Sequence, residues 1–464
     1  MMRARIIVLA GATALAGCNL APTYVRPGMP VPARFPTGSA YAPQTGETTA
    51  GLPWQSFVSD EKLRTVIARA LADNRDLRAA VASAASARAQ YRVQRAAQLP
   101  TLTAGASASV GDDSATVGTS ESYAVDVGIS SFEIDLFGRL RNLSKEAFEQ
   151  YLATEAGARS TRITLIGETA TAYATLAADQ ELLKLAQETA ASAERSLALT
   201  MSLNQAGLAG KLDVRQAETI LAQARSDVES YTTQVAQDRN ALDLLAGSPV
   251  EEALLPVSLA SLDKGIGQVP VGLSSQVLLQ RPDVLSAEHQ LKAANADIGA
   301  ARAAFFPTIS LTSAAGFAST ALSSLLTGGA ANWSVAPSAS LPIFGGSTRG
   351  NLQYSKAQRD LYLAQYEKTV QTAFQEVADA LARAGTIERQ RAAQGALVTA
   401  SAQSYDLAAQ RYRAGIDTYL NALDSQRTLY SARQSAIATE LAAVSNRITL
   451  YRVIGGDMLE DTPQ

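Results

Sequence analysis

Two hydrophobic periods succeed one another along this 464-residue chain in a fixed order. From about Asp60 to Gln98 there is no proline or glycine and much alanine and arginine, which predicts one helix closed by Pro100. From Thr101 the pattern changes to strict alternation. Leu102, Ala104, Ala106, Ala108 and Val110 share one face, and Thr103, Gly105, Ser107 and Ser109 share the other, as in a strand. After a polar loop holding Asp112, Asp113 and Gly118, alternation resumes with Tyr123, Val125, Val127 and Ile129 against Ala124, Asp126, Gly128 and Ser130. A β-hairpin over 101–133 is therefore expected. A helical stretch from about Leu140 to Gln205 follows, roughly 100 Å long at 1.5 Å per residue. The break at Ala206 to Gly210 turns the chain into a return helix, in which Val214, Ala217, Leu221, Ala224, Val228, Tyr231, Val235, Leu242 and Leu245 keep the three-four spacing of a coiled-coil seam. Asp238 interrupts that seam once.

The whole arrangement occurs twice. An offset of 207 positions superposes Asp76 on Asp283, Ala80 on Ala287, Arg95 on Arg302, Pro100 on Pro307 and Phe137-Gly138 on Phe344-Gly345. After one inserted residue, Gly207 meets Gly415, Leu212 meets Leu420, Leu221 meets Leu429 and Gly247 meets Gly455. The expected organisation is a first repeat over 60–247, a linker over 248–280, a second repeat over 281–455 with its β-hairpin at 308–343, and a tail over 456–464. In the second hairpin Ile309, Leu311, Ala315 and Phe317 form one face, and Trp333, Val335 and Leu341 oppose Ser334, Ser338 and Ser340. A second long helix, from about Asn351 to Arg413, turns at Ala414-Gly415 into a return helix with Leu420, Leu423, Tyr430, Ile437, Leu441, Val444, Ile448 and Tyr451 on its seam. Beside the seams run polar stripes: Asp213, Gln216, Gln223, Asp227, Ser230, Gln234 and Gln237, then Asp417, Asn421, Asp424, Thr428, Ser431 and Ser435. Periodicity leaves two readings open for them, an outer solvated face or the lining of a water-filled bore.

No run of about 20 apolar residues exists, so helical membrane spans are excluded and any crossing falls to β-strands. Four strands cannot close a barrel, and open edges are not tolerated in lipid. Membrane strands here thus require several chains to share one barrel. Soluble hairpins packed on helices are the competing reading. It is disfavoured by the N-terminus, where Arg3 and Arg5 precede an apolar run from Ile6 to Leu15 and then Leu15-Ala16-Gly17-Cys18. That is a secretory signal over 1–17 ending in a lipobox, with Cys18 as the lipidated residue, the only cysteine in the chain. Asn19 follows where an aspartate would, in enteric bacteria, direct retention at the inner membrane, so an outer-membrane location is expected, with outer-membrane lipid around the chain. The net charge of −3 carries no basic block for nucleic acid.

No enzymatic chemistry is legible. His289 is the one histidine, with no second histidine or cysteine to complete a metal site, and a structural role is expected for it. There is no G-x-S-x-G, no phosphate-binding glycine loop and no histidine-glutamate zinc motif. The chain reads as a non-enzyme with no metal and no cofactor beyond a covalent lipid on Cys18.

The stretch RPDVLSAEHQLKAANADIGAARAAFFPTISLTSAAGF and the segment CNLAPTYVRPGMPVP resemble the TolC family, specifically the lipoprotein branch serving resistance-nodulation-division efflux pumps, the NodT or OprM-like group. The resemblance covers nearly the whole chain. It implies a mixed α and β membrane protein: a homotrimer with a twelve-stranded outer-membrane barrel, a periplasmic barrel of coiled-coil helical hairpins, and an equatorial collar. The collar would be built from the proline-rich lead within 18–59, the linker and the tail. It also implies an exit duct that passively conducts drugs or other small compounds, with a periplasmic membrane-fusion adaptor and an inner-membrane pump as partners. In the family's prototype a tyrosine, an arginine and two aspartates constrict the periplasmic tips. The corresponding positions here are Tyr412, Asp417 in place of the arginine, Asn421 in place of one aspartate, and Asp424. Arg411 and Arg413 are the candidate substitutes for the missing cation. The tips themselves are expected at Gly207 and Gly210 and at Ala414 and Gly415. A type I secretion duct and a lipid-anchored coiled-coil envelope protein are the alternatives. The lipobox and the RPD…FFP stretch weigh against the first, and the four alternating stretches against the second.

Overall fold

The computed structural model describes residues 19–41, 52–112, 119–269, 272, 274–327 and 331–456. Cys18, the signal segment, the loop residues 113–118 and the tail beyond 456 lie outside them. In chain order the helices are α1 (Glu61–Asp73), α2 (Arg75–Ala96), α3 (Arg139–Gln205), α4 (Lys211–Ala246), α5 (Leu259–Gly265), α6 (Pro282–Ala303), α7 (Gly346–Arg413) and α8 (Tyr419–Val453), and the strands are β1 (Leu102–Asp112), β2 (Thr119–Glu133), β3 (Thr308–Ser319) and β4 (Ala331–Ser340). Contacts divide the chain into two compact units, one of Met1–Gly28, Ala82–Ala156 and Ser286–Lys368, the other of Met29–Val81, Gly157–Leu285 and Thr369–Gln464.

The first unit holds a four-stranded antiparallel sheet in the order β1-β2-β3-β4, so the two hairpins of the repeat are joined through β2 and β3. Its register aligns Ala104 with Val127, Val127 with Ala315, and Ala315 with Trp333. One face consequently carries Leu102, Val110, Val125, Val127, Leu311, Phe317, Trp333 and Val335, while Thr103, Ser107, Asp126, Ser310, Ser334 and Ser338 share the other. A bulge between Ile129 and Phe132, with Ser131 at φ 52°, keeps Phe132 opposite Leu311 and so preserves the apolar face. Leu341, expected in the last strand, falls just past it. Among the described residues β1 and β4 each present one edge with no strand beside it.

In the same unit the N-terminal lead lies along α6. Arg302 donates to the Leu20 carbonyl at 3.0 Å and Asn295 to that of Pro22 at 2.7 Å. Arg26 makes a two-pronged contact with Glu288, at 3.0 and 2.7 Å, and Glu288 also accepts from Tyr24 and Lys292. His289 Nδ1 is 2.7 Å from Glu149 Oε2.

The second unit is built on an apolar core. Trp54, Phe57 and Val58, just before α1, pack with Leu63 and Ile67 of α1, Ile166 and Tyr173 of α3, Leu242 of α4, Leu259 and Leu262 of α5, and Val444 and Tyr451 of α8. Phe57 stacks on Tyr451 with ring centroids 4.3 Å apart. The linker closes back on the lead: Ser59 N–H donates to Gly265 O at 2.7 Å and Gly267 N–H to Phe57 O at 2.7 Å. Arg281 joins the start of α6 to the end of α8, donating to Asp283 and Glu376 and, at 2.7 Å, to the Val453 carbonyl.

Two local expectations are corrected. The single helix from Asp60 to Gln98 is two helices, because Asn74 sits in an extended conformation between them. Its side-chain oxygen caps α2 by accepting from Leu77 N–H at 3.0 Å, and its amide donates to the Leu245 carbonyl at 3.1 Å. Leu420, placed on the second seam by spacing, is 54% exposed, whereas Tyr419 beside it is buried.

Candidate functional site at the hairpin turns

The two long-helix turns share one backbone device. Gly207 and Gly415 lie at φ 76° and 69°, a left-handed conformation that glycine adopts without steric cost. In the first turn Leu208 N–H donates back to Leu203 O at 2.8 Å and Gly207 N–H to Asn204 O at 3.0 Å. In the second, Ile416 N–H donates to Arg411 O at 2.9 Å and Gly415 N–H to Tyr412 O at 2.9 Å. Gly210 then opens α4, its N–H donating to the Asp213 carboxylate at 2.9 Å. Ala414, the second turn's other tip residue, bonds back to Gln410 O at 3.0 Å.

The side chains differ where the backbone does not. Arg411 Nε lies 2.6 Å from Asp417 Oδ2, an ion pair across the second turn. The positions equivalent to Arg411 and Asp417 in the first repeat hold Leu203 and Ala209, so only the second turn carries the pair. The Arg411 hydrogen bond, with a smaller one from Asn421, holds the Asp417 carboxyl below the usual range. Arg413, Asn421 and Asp424 are exposed, and Arg413 and Asp424 have no ionic partner among the described residues.

Tyr412 is half-buried. Its hydroxyl is 3.3 Å from Thr200 Oγ1 on α3, and its ring lies 5.2 Å from that of Tyr419. The Tyr419 hydroxyl is 3.3 Å from Ser196 Oγ, one turn back on α3. Ala193, Ala217, Ile220, Leu221, Tyr419 and Leu423 form a small apolar core below these hydroxyls. The first and second hairpins are thus joined near both turns by two tyrosines. Tyr419, Thr200 and Ser196 escape sequence reasoning, since Tyr419 aligns with the unrelated Lys211 and the two hydroxyl residues are ordinary helix positions. The available signal was the seven-residue spacing of Tyr412 and Tyr419 around the turn.

On the polar face of the sheet, Asp126 lies level with Gly105 of β1 and Gly316 of β3. A Cβ on Gly316 would stand 2.2 Å from Val125 O and 2.6 Å from Asp126 Cα, so that crossing admits no side chain. No group of metal-ligating side chains is assembled among the described residues.

A family model described as outer membrane efflux protein matches residues 66–248 and 273–456. The chain is 46% identical to the solvent efflux pump outer membrane protein SrpC of Pseudomonas putida, with 95% of this chain and 96% of that protein covered. Identity to outer membrane protein OprJ of Pseudomonas aeruginosa is 40%, over 96% of this chain and 94% of that one. The Neisseria gonorrhoeae MtrE outer membrane channel, solved in its open state, superposes with a TM-score of 0.86 at 36% identity, covering 96% of this chain and all of that one. With both repeats matched and relatives this similar over nearly their full length, the chain belongs to the outer membrane efflux protein family.

Proposed function

We propose that three copies of this chain close one twelve-stranded barrel in the outer membrane and conduct small compounds passively outward from a periplasmic adaptor and an inner-membrane pump. The observation that carries this reading is the sheet. It is apolar on one face and polar on the other, and both edge strands lack a neighbour among the described residues. In lipid such edges must be paired, and joining β4 of one copy to β1 of the next satisfies them. The apolar face, with Trp333 78% and Val335 56% exposed, then meets lipid, and the Asp126 face lines the bore. A location in the outer membrane is common to the relatives by name.

The helical hairpins form the periplasmic part, with the Gly207–Gly210 and Ala414–Gly415 turns as its tips. Tyr412, Asp417, Asn421, Asp424, Arg411 and Arg413 belong to the entrance. Of the two aspartates, Asp424 is the one without an ionic partner in its own chain, because Asp417 is satisfied by Arg411. Cys18 carries the lipid anchor. Opening is a change between two packings of the hairpins, with no chemical step. The purified protein in a planar bilayer, together with its mass in mild detergent, tests the whole reading. A trimeric mass and discrete cation-conducting steps are expected; a monomer without conductance would refute it.

A further inference from the structure

The seam of α4 is broken at one position, Asp238, between Val235 and Leu242. There the Asp238 carboxyl lies beside the Asp179 carboxyl of α3, close enough for each to act on the other's charge. Asp238 Oδ2 is closed off from solvent and accepts from no protein N–H or O–H donor. Two carboxylates in contact cannot both be satisfied in this way, whereas a carboxyl and a carboxylate sharing one proton can. We propose that Asp179 and Asp238 hold a single proton between them across the α3–α4 seam, and that its loss to water loosens the first helical hairpin at that level.

Among the described residues neither Asp179 nor Asp238 forms an ion pair. From α3 the facing groups are Asp179 itself and Glu168. On α4, Tyr231 lies near Asp179 and its hydroxyl accepts from Gln434 at 3.0 Å, while Arg239, next to Asp238 in sequence, pairs with Glu252 at 3.5 Å. From α8, Arg452 lines the same cleft as Glu168 and Asp238 and packs its chain over Gly167. Burial first, reinforced by Asp179, pushes the Asp238 carboxyl up to about 7. That places the exchange of one proton within the range of ordinary external media, to which an outer-membrane protein is open. The cleft beside Asp238 is about 430 Å³, with Thr171, Thr175 and Thr449 on its walls, and gives water a place to enter as the seam separates.

The second repeat shows the same position without the switch. Asn446 stands at the equivalent of Asp238, and its amide donates to the Ala380 carbonyl on α7 at 3.2 Å. A neutral polar side chain is therefore accommodated at this point of the fold, and only the first hairpin carries a group that titrates there.

The test uses the full-length protein in detergent, in a Glu146→Gln background that removes the other carboxyl raised to about 7. Infrared difference spectra across pH 5.5 to 8.5 (about three units around the midpoint) should show a protonated-carboxyl band titrating near 7. Asp238→Asn and Asp179→Asn should each abolish it. Hydrogen exchange around Asp179 and Asp238, corrected for intrinsic rate, should rise about tenfold across that range in the parent and stay flat in Asp238→Asn. A band that loses no amplitude in Asp238→Asn overturns the shared proton. Equal corrected exchange at both ends of the range in the parent overturns the loosening.

Discussion

Arg411 and Asp417 face each other across the second hairpin turn at 2.6 Å, so the charge that a ring of Asp417 side chains would present is already balanced within each chain. The two aspartates of the proposed entrance are therefore unequal. Asp424→Asn should reduce cation selectivity several-fold, read as the reversal potential in a salt gradient, whereas neutralising both members of the pair together, Arg411→Gln with Asp417→Asn, should leave it nearly unchanged. Arg411→Gln should raise cation selectivity by exposing Asp417. Equal effects of Asp424→Asn and of the paired replacement would contradict the assignment.

Gly316 of β3 lies against the β2 backbone at Val125 and Asp126. Gly316→Val should prevent correct strand pairing, since the new Cβ would stand 2.2 Å from Val125 O. Loss of the proposed trimer, read as the mass in mild detergent, is the expected readout, while Gly350→Ala, on a helix with open space around it, leaves that mass unchanged.

Glu146 on α3 predicts a pH dependence of stability. Burial, with Asp297 adding to it, raises its carboxyl from 4.5 to about 7. The folded state thus binds the proton more tightly than the unfolded chain does. Stability is highest below about 4.5 and falls as pH rises toward about 7, after which the cost is constant. Glu146→Gln should remove that cost, on the order of 2 kcal/mol per chain after allowance for partial solvent access. Its thermal midpoint should exceed the parent's at pH 8 and match it near pH 4 (both roughly one unit or less outside the titration range).

Cys18 is expected to be the acylated first residue of the mature protein. Intact mass of the membrane-extracted protein should show the lipid and the absence of 1–17, and Cys18→Ser should lose both the lipid and that processing. An unmodified Cys18, or retained Met1, would contradict it.

Tyr419 tests how the two hairpins are joined. Tyr419→Phe removes the hydroxyl contact with Ser196 but keeps the ring against Tyr412, at a cost of about 1 kcal/mol. Tyr419→Ala also empties the small core with Ile220 and Leu423 and should raise resting conductance well beyond the phenylalanine variant.

What was legible in the sequence is local. Alternation over Leu102–Val110 and Ile309–Phe317 assigned the faces of the strands, because a strand's side-chain period depends only on its own backbone. The long helices and their turns were legible for the same reason: Gly207 and Gly415 mark left-handed residues whatever surrounds them. The duplication made each signal appear twice. Tertiary structure decided everything that needed a partner far along the chain. Asn74 divides a stretch of good helix formers because Leu245, 171 residues on, accepts its amide. Whether the two hairpins form one sheet depends on β2 meeting β3 across the intervening long hairpin. Asp417 and Asp424 look alike in a polar stripe, and only the folded turn brings Arg411 to one of them. Asp238 registers in the sequence merely as a flaw in the α4 seam; its meaning comes from Asp179, which a period counted along one helix does not contain.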